Sequence, residues 1–93
     1  MTKSELINRI YLKNNNLSLE DTEAAVNIII DKMIETMGRG ERIEIRGFGA
    51  FDLRFRKGRT GRNPKTGESV EIPDCYKPHF KPGKGLKERV DYQ

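Results

Sequence analysis

The chain has 93 residues, 34% of them charged and 34% apolar, which allows one domain with a small core. Its single cysteine excludes an intrachain disulfide, and no apolar run reaches membrane-spanning length. The net charge of +4 is unevenly spread: residues 1–40 carry five basic and six acidic side chains, residues 41–93 thirteen and eight, the pattern of a near-neutral scaffold joined to a polyanion-binding surface.

Thr2-Lys3-Ser4-Glu5 has the spacing of a capping box, and Leu6, Ile7, Ile10 and Tyr11 follow at helical intervals. Asn14, Asn15 and Asn16 end this first helix. Ser18 starts the second, whose acidic first turn (Glu20, Asp21, Glu23) suits the positive end of the helix dipole. The second helix runs to about Met37 and stops at Gly38 and Gly40. Val26, Ile29, Ile30, Met33 and Met37 form one apolar stripe, which Ala24, Ala25, Ile28 and Ile34 widen past a single face. Such a helix must be covered on two sides, one by its own chain and the other by a second subunit. Dimerisation also answers the shortage of core in so short a chain.

Residues 41–55 read as sheet. Ile43 and Ile45 alternate with Glu44 and Arg46, Gly47-Phe48-Gly49 makes a tight turn, and Phe51, Leu53 and Phe55 continue the apolar face. Glu44, Arg46, Arg54 and Arg56 are expected to share the outer face, as a phosphate track. From Arg54 to Gly67 the chain holds six basic residues (Arg54, Arg56, Lys57, Arg59, Arg62, Lys65) and no acid. This stretch has no means of folding inward. Val70 and Ile72 then alternate with Ser69 and Glu71 on a return strand. The simplest reading is a long two-stranded ribbon with Arg62 to Gly67 at its tip, and the alternative is a disordered basic loop. At the tip, Pro64 is a rigid apolar ring between Asn63 and Lys65. It either makes the turn and nothing more, or serves as a wedge for a DNA base step, with Arg62 and Asn63 reaching the groove floor.

Tyr76 to Phe80 returns to the sheet, and Pro78 marks an edge or a bend. A short helix follows from about Lys84 to Val90. Glycine and lysine ahead of it offer backbone N–H groups and a cation to a phosphate. Lys81, Lys84, Lys87 and Arg89 extend the basic surface.

The segments GERIEIRGFGAF (Gly40 to Phe51), GRNPKTGESVEI (Gly61 to Ile72) and PHFKPGKGLKERV (Pro78 to Val90) resemble the HU/IHF family of bacterial DNA-bending proteins. The likeness spans the chain, and the opening MTKSELI with ERIEIRGFG and PHFKPGK looks most like the family's beta-subunit branch. It departs from that branch at Asn14–Asn16, Ala50 and Asp74-Cys75. The resemblance implies an α+β fold: two N-terminal helices, a three-stranded antiparallel sheet with a long β-ribbon arm, and a short C-terminal helix, in an intertwined dimer. On that reading residues 1–93 form one DNA-binding domain. Residues 1–40 are its helical dimerisation part, 41–80 the sheet with the arm at about 54–76, and 81–93 the C-terminal helix. The resemblance further implies that Pro64 intercalates and kinks the duplex, with Arg62, Asn63 and Lys65 beside it in the minor groove. It implies that Glu44 holds Arg46 against the DNA and favours particular sites.

The expected function is therefore a sequence-preferring DNA-bending dimer that shapes recombination, replication or transcription complexes. The alternative is an HU-like homodimer that compacts DNA with little preference. The implied partners are double-stranded DNA and either a second copy of the chain or a related alpha-type subunit. No cofactor, metal or membrane is called for. The polar N-terminus and the lone thiol predict a cytoplasmic protein, placed by the resemblance at the bacterial nucleoid. The absence of Trp argues against aromatic platforms for single strands. An enzyme is not expected: Cys75 and His79 are the only residues of their kinds, and nothing supplies a third group or a pocket.

Overall fold

The computed structural model describes residues 1–14 and 16–91. The expectations that touch Asn15 and the last two residues of the 81–93 segment lie outside the described residues. The chain divides into two compact units, one ending at Glu35 and the other beginning at Thr36.

The first unit holds α1 (Lys3–Lys13) and most of α2 (Leu19–Gly38). Both helices start as their sequences require. The Thr2 hydroxyl accepts from the Glu5 N–H at 3.2 Å, and the Ser18 hydroxyl from the Asp21 N–H at 3.0 Å. Asn14 closes α1, its side-chain amide donating to the Ile10 carbonyl at 3.2 Å. Lys3 Nζ reaches Asn27 Oδ1 at 2.9 Å and ties the two helices together. Ile7 and Val26 are buried. Between them in register of burial lies a residue the apolar pattern missed, Thr22, which is 2% exposed. Its hydroxyl donates to the Ser18 carbonyl at 2.9 Å, so it carries no unsatisfied polar group inward. The inner line of α2 therefore runs Thr22, Val26, Ile30, Met33, Met37. Ile29 leaves the expected stripe and stands with Ile28 and Ile34 on the outside, the three being 60%, 68% and 65% exposed.

The second unit begins with the end of α2. The Glu41 N–H donates to the Thr36 carbonyl and the Gly40 N–H to the Met37 carbonyl, at 3.2 and 2.9 Å. These are the two bonds of a Schellman motif, and Gly40 takes the left-handed conformation it needs, with φ 82°. Next come β1 (Ile43–Ile45), β2 (Gly49–Arg56), β3 (Arg59–Arg62), β4 (Ser69–Ile72), β5 (Cys75–Pro82) and α3 (Lys84–Asp91). β1, β2 and β5 form an antiparallel sheet in that order, which puts Pro78 on an edge strand, where a residue without an N–H is tolerated. The turn from β1 to β2 is closed by the Phe48 N–H on the Ile45 carbonyl at 3.0 Å, with Gly47 at φ 85° in the third position, the requirement of a type II turn. The inner face carries Phe51 opposite Phe80, with ring centroids 4.8 Å apart and Phe48 within 5.2 Å of Phe80. The Gly83 N–H donates to the Phe48 carbonyl at 2.9 Å, which fixes the start of α3 beside the β1–β2 turn.

β3 and β4 pair with each other alone, as a ribbon beyond the sheet. Register carries through from sheet to ribbon without a slip, from Arg56 opposite Cys75 to Arg59 opposite Ile72. The basic stretch is thus an ordered hairpin and not a disordered loop. The expected single ribbon is nevertheless interrupted where Lys57 and Gly58 face Pro73 and Asp74. Pro73 has no N–H for a ladder bond, and the Gly58 N–H goes instead to the Asp74 carboxylate.

Candidate nucleic-acid interface

Residues opposite one another in an antiparallel pair share a face, so the register sorts the side chains. On the outer face of the sheet lie Glu44, Ala50 and Lys81 in one row, then Asp52 with His79, Arg54 with Lys77, and Arg56 with Cys75. Glu44, Arg54 and Arg56 share this face as expected. Arg46 lies just past β1, in the turn, and approaches the same surface from the sheet's end. Arg42, Glu44, Arg46, Lys81 and Lys84 line one shallow groove of about 760 Å³, floored by the backbone of Gly47, Gly49 and Gly83. Four cations around one carboxylate give the groove a positive field. Glu44 and Arg46 share the groove, and among the described residues no ion pair or hydrogen bond joins them in the chain by itself.

Arg54 has a neighbour the sequence did not disclose. Its Nε lies 3.3 Å from Asp52 Oδ1, and His79 Nδ1 lies 3.3 Å from the same oxygen. Desolvation pushes the Asp52 carboxyl up, but the hydrogen bond and charge of Arg54, and then those of His79, outweigh it and hold the group below its ordinary value. The Arg54–Asp52 pair is open to solvent, and a pair of that kind holds its members only weakly.

Further out, Arg56, Lys57, Arg59 and Lys77 line a notch of about 170 Å³ with Pro73 and Cys75, beside the break in the ladder. Arg62 lies opposite Ser69 and shares a face with Thr60 and Glu71, while Arg59 shares the other with Gly61, Val70 and Ile72. The tip is built rather than loose. The Asn63 N–H donates to the Glu68 carbonyl at 2.9 Å and the Gly67 N–H to the Asn63 carbonyl at 2.7 Å, with Gly67 at φ 73°. Asn63 Oδ1 accepts from the Lys65 N–H at 2.9 Å. That bond engages the acceptor of the Asn63 side chain and leaves its NH₂ donors free, which suits a groove floor made of acceptors. Pro64 and Lys65 stand exposed at the apex. Lys84 and Lys87 are exposed on α3, where Lys84 makes a long contact of 3.9 Å to Glu88.

Sequence reasoning missed Arg42, Lys77, Asp52 and His79 as members of this surface. Alternation could have found Arg42, two residues before Glu44, and Lys77, four before Lys81. Asp52 alternates with Arg54 on β2 and carried the same local signal, whereas His79 joins them only by pairing across strands. Cys75 and His79 are four residues apart on one strand, about 13 Å by strand rise, too far for a nucleophile and its base. Among the described residues no group of three His, Cys, Asp or Glu side chains is placed to hold a metal. Among the same residues no helix is long and apolar enough to cross a membrane.

Residues 1–91 match the family model described as Bacterial DNA-binding protein. The chain belongs to this family, the HU/IHF family. Integration host factor subunit beta of Saccharophagus degradans is 58% identical over 91 residues, 98% of this chain and 93% of the relative. The subunit of the same name from Shewanella woodyi is 56% identical over 91 residues, 98% of this chain and 96% of its own. Among solved structures, Anabaena HU in a cocrystal with DNA superposes with a TM-score of 0.87 at 36% identity, covering 97% of each chain. The α+β fold with its arm is therefore the HU/IHF fold.

Proposed function

We infer that the chain is one subunit of an architectural dimer that binds duplex DNA and bends it, and that it catalyses no reaction. The observation that carries this is the arm. An in-register ribbon lined with cations ends in a turn already fixed by Asn63, with Pro64 exposed at its apex. The wedge is the family's known device. Pro64 enters a base step from the minor groove, while Arg62, Lys65 and the Asn63 amide donors meet acceptors on its floor. Arg54, Arg56, Lys57 and Arg59 follow the phosphates along the arm. Arg42, Lys81, Lys84 and Lys87 hold them along the body. Unstacking costs roughly a few kcal/mol per wedge, offset by the basic surface that bent DNA brings into contact.

The second subunit is another copy of the chain or a related alpha-type subunit. The dimer acts in the bacterial cytoplasm at the nucleoid, supporting recombination, replication and transcription regulation. It prefers some sites to others. Glu44 stands in a groove whose other charged side chains are cationic, where a surface built only for phosphates has no use for a carboxylate. HU-like compaction without preference is the competing reading.

End-to-end FRET on a duplex of about 35 base pairs, titrated with purified chain while native mass is read, tests the bend. A large rise at two chains per duplex is expected of a homodimer, and a rise only after an alpha-type subunit is added marks an obligate heterodimer. Binding with no rise in either case would return the arm to a plain electrostatic clamp. Arg46→Ala should lower the preference for a particular site by about tenfold or more while sparing nonspecific affinity; an unchanged ratio favours the compacting reading.

A further inference from the structure

The arm's ladder breaks where Lys57 and Gly58 face Pro73 and Asp74, yet it resumes beyond in the same register. A break of that kind should act as a hinge, because a two-stranded ribbon is marginal even when complete. Here the gap is bridged. The Gly58 N–H donates to Asp74 Oδ1, a bond between residues sixteen apart in the chain. The strands approach so closely that a Cβ at position 58 would fall 2.5 Å from the Ile72 carbonyl oxygen and 2.9 Å from the Asp74 nitrogen. Pro73 has no N–H to give a ladder bond at that level, and the Gly58 N–H is taken by the Asp74 side chain rather than by a backbone carbonyl. For charge alone Asp74 is unfavourable. It stands beside the notch of Arg56, Lys57, Arg59 and Lys77 and weakens the field that would hold a phosphate.

We propose that Asp74 is a positioning residue for DNA bending: its carboxylate latches Gly58 across the break and so aims the outer half of the arm, with Pro64 at its tip, at the duplex. The proposal rests on the reading of Pro64 as the wedge. Asp74 touches no DNA in this scheme. Its effect is on the direction of the β3–β4 ribbon relative to β2 and β5.

Two substitutions separate geometry from charge. Asp74→Asn removes the charge and keeps the acceptor oxygen, whereas Asp74→Ala removes both. Loss of one such hydrogen bond lowers the ratio of latched to open arms roughly five-fold. In the FRET titration, Asp74→Ala should reach a clearly smaller plateau and Asp74→Asn one close to that of the unaltered chain. Both should bind as tightly as the unaltered chain or more so, each having lost a negative charge. Equal plateaus for the alanine variant and the unaltered chain, or equal losses for alanine and asparagine, overturn the proposal. Hydrogen exchange of the Gly58 amide in the protein without DNA gives a second readout. Protection is expected in the unaltered chain and in Asp74→Asn, and its loss in Asp74→Ala; equal exchange in all three removes the latch. If the unaltered chain does not bend DNA, the wedge reading fails, and the exchange data still decide whether the latch exists.

Discussion

Ile28, Ile29 and Ile34 on α2 and the cations from Arg54 to Lys65 on the arm are both exposed in the single chain, but they ask for different things. Water does not solvate the isoleucines well, and only another apolar surface removes them from it. The arm's cations are well solvated already and need no cover until a polyanion arrives. The helix face is thus a requirement of folding, and the arm an option for binding. On the reading proposed above, a second protein chain completes the first region and nucleic acid the second.

The comparison breaks most sharply at the helix. Ile28→Asp should weaken the dimer by about a hundredfold or more, since burying each isoleucine is worth about 1.5–3 kcal/mol and a two-fold interface counts it twice. Sedimentation at micromolar concentration reads the change, and a variant that sediments as the unaltered dimer places the interface elsewhere. Salt should act on the other region only. If the dimer neutralises roughly ten phosphates, the log–log slope of DNA affinity against salt is near −9, while the dimer itself persists. A dimer that dissociates along the same salt series would mean that charge, not apolar burial, joins the subunits.

Within the arm, Pro64→Ala should abolish most of the bend and change affinity by less than about tenfold, because phosphate contacts supply most of the binding. Equal bend angles for variant and unaltered chain would return Pro64 to the role of a turn residue. The smallest effect belongs to the sheet. Asp52 titrates below its ordinary value of 3.8 in the folded chain, so its contribution to stability is present above that value and is lost as pH falls through it and past the lower folded value. Asp52→Asn should therefore flatten the decline in melting temperature below about pH 4, and should strengthen DNA binding slightly by releasing Arg54. A decline as steep in the variant as in the unaltered chain would show that other carboxylates govern the acid limb.

What could be seen in the sequence was what acts over short distances. Thr2 with Glu5 and Ser18 with its acidic turn announced two helix starts because a cap is chosen by the next three residues. Alternation announced β2 and β4, and Asn63 to Gly67 announced the tip, because strand faces and turns are also local. Thr22 escaped notice because its polarity argued for the surface, and its burial depends on a bond to the carbonyl of Ser18. The break at Gly58 and the contact of His79 with Asp52 escaped because each joins residues on different strands. Their existence follows from register, which no stretch of ten residues can reveal. Glu44 and Arg46 line one groove, and the role of Glu44 in holding Arg46 against DNA was inferred from likeness and not from any local pattern.

The β3–β4 ribbon has one further consequence. Two strands paired only with each other leave two open edges, each a template on which another arm could add a strand. Arm-to-arm stacking of that kind is a route to fibres. The cations at Arg59, Arg62 and Lys65 oppose it by mutual repulsion, so the charge proposed to meet DNA also works to keep unoccupied arms apart from one another. A short polyanion able to neutralise arms without filling both of them would remove that protection, and turbidity should then peak at intermediate ratios of polyanion to protein and clear in excess.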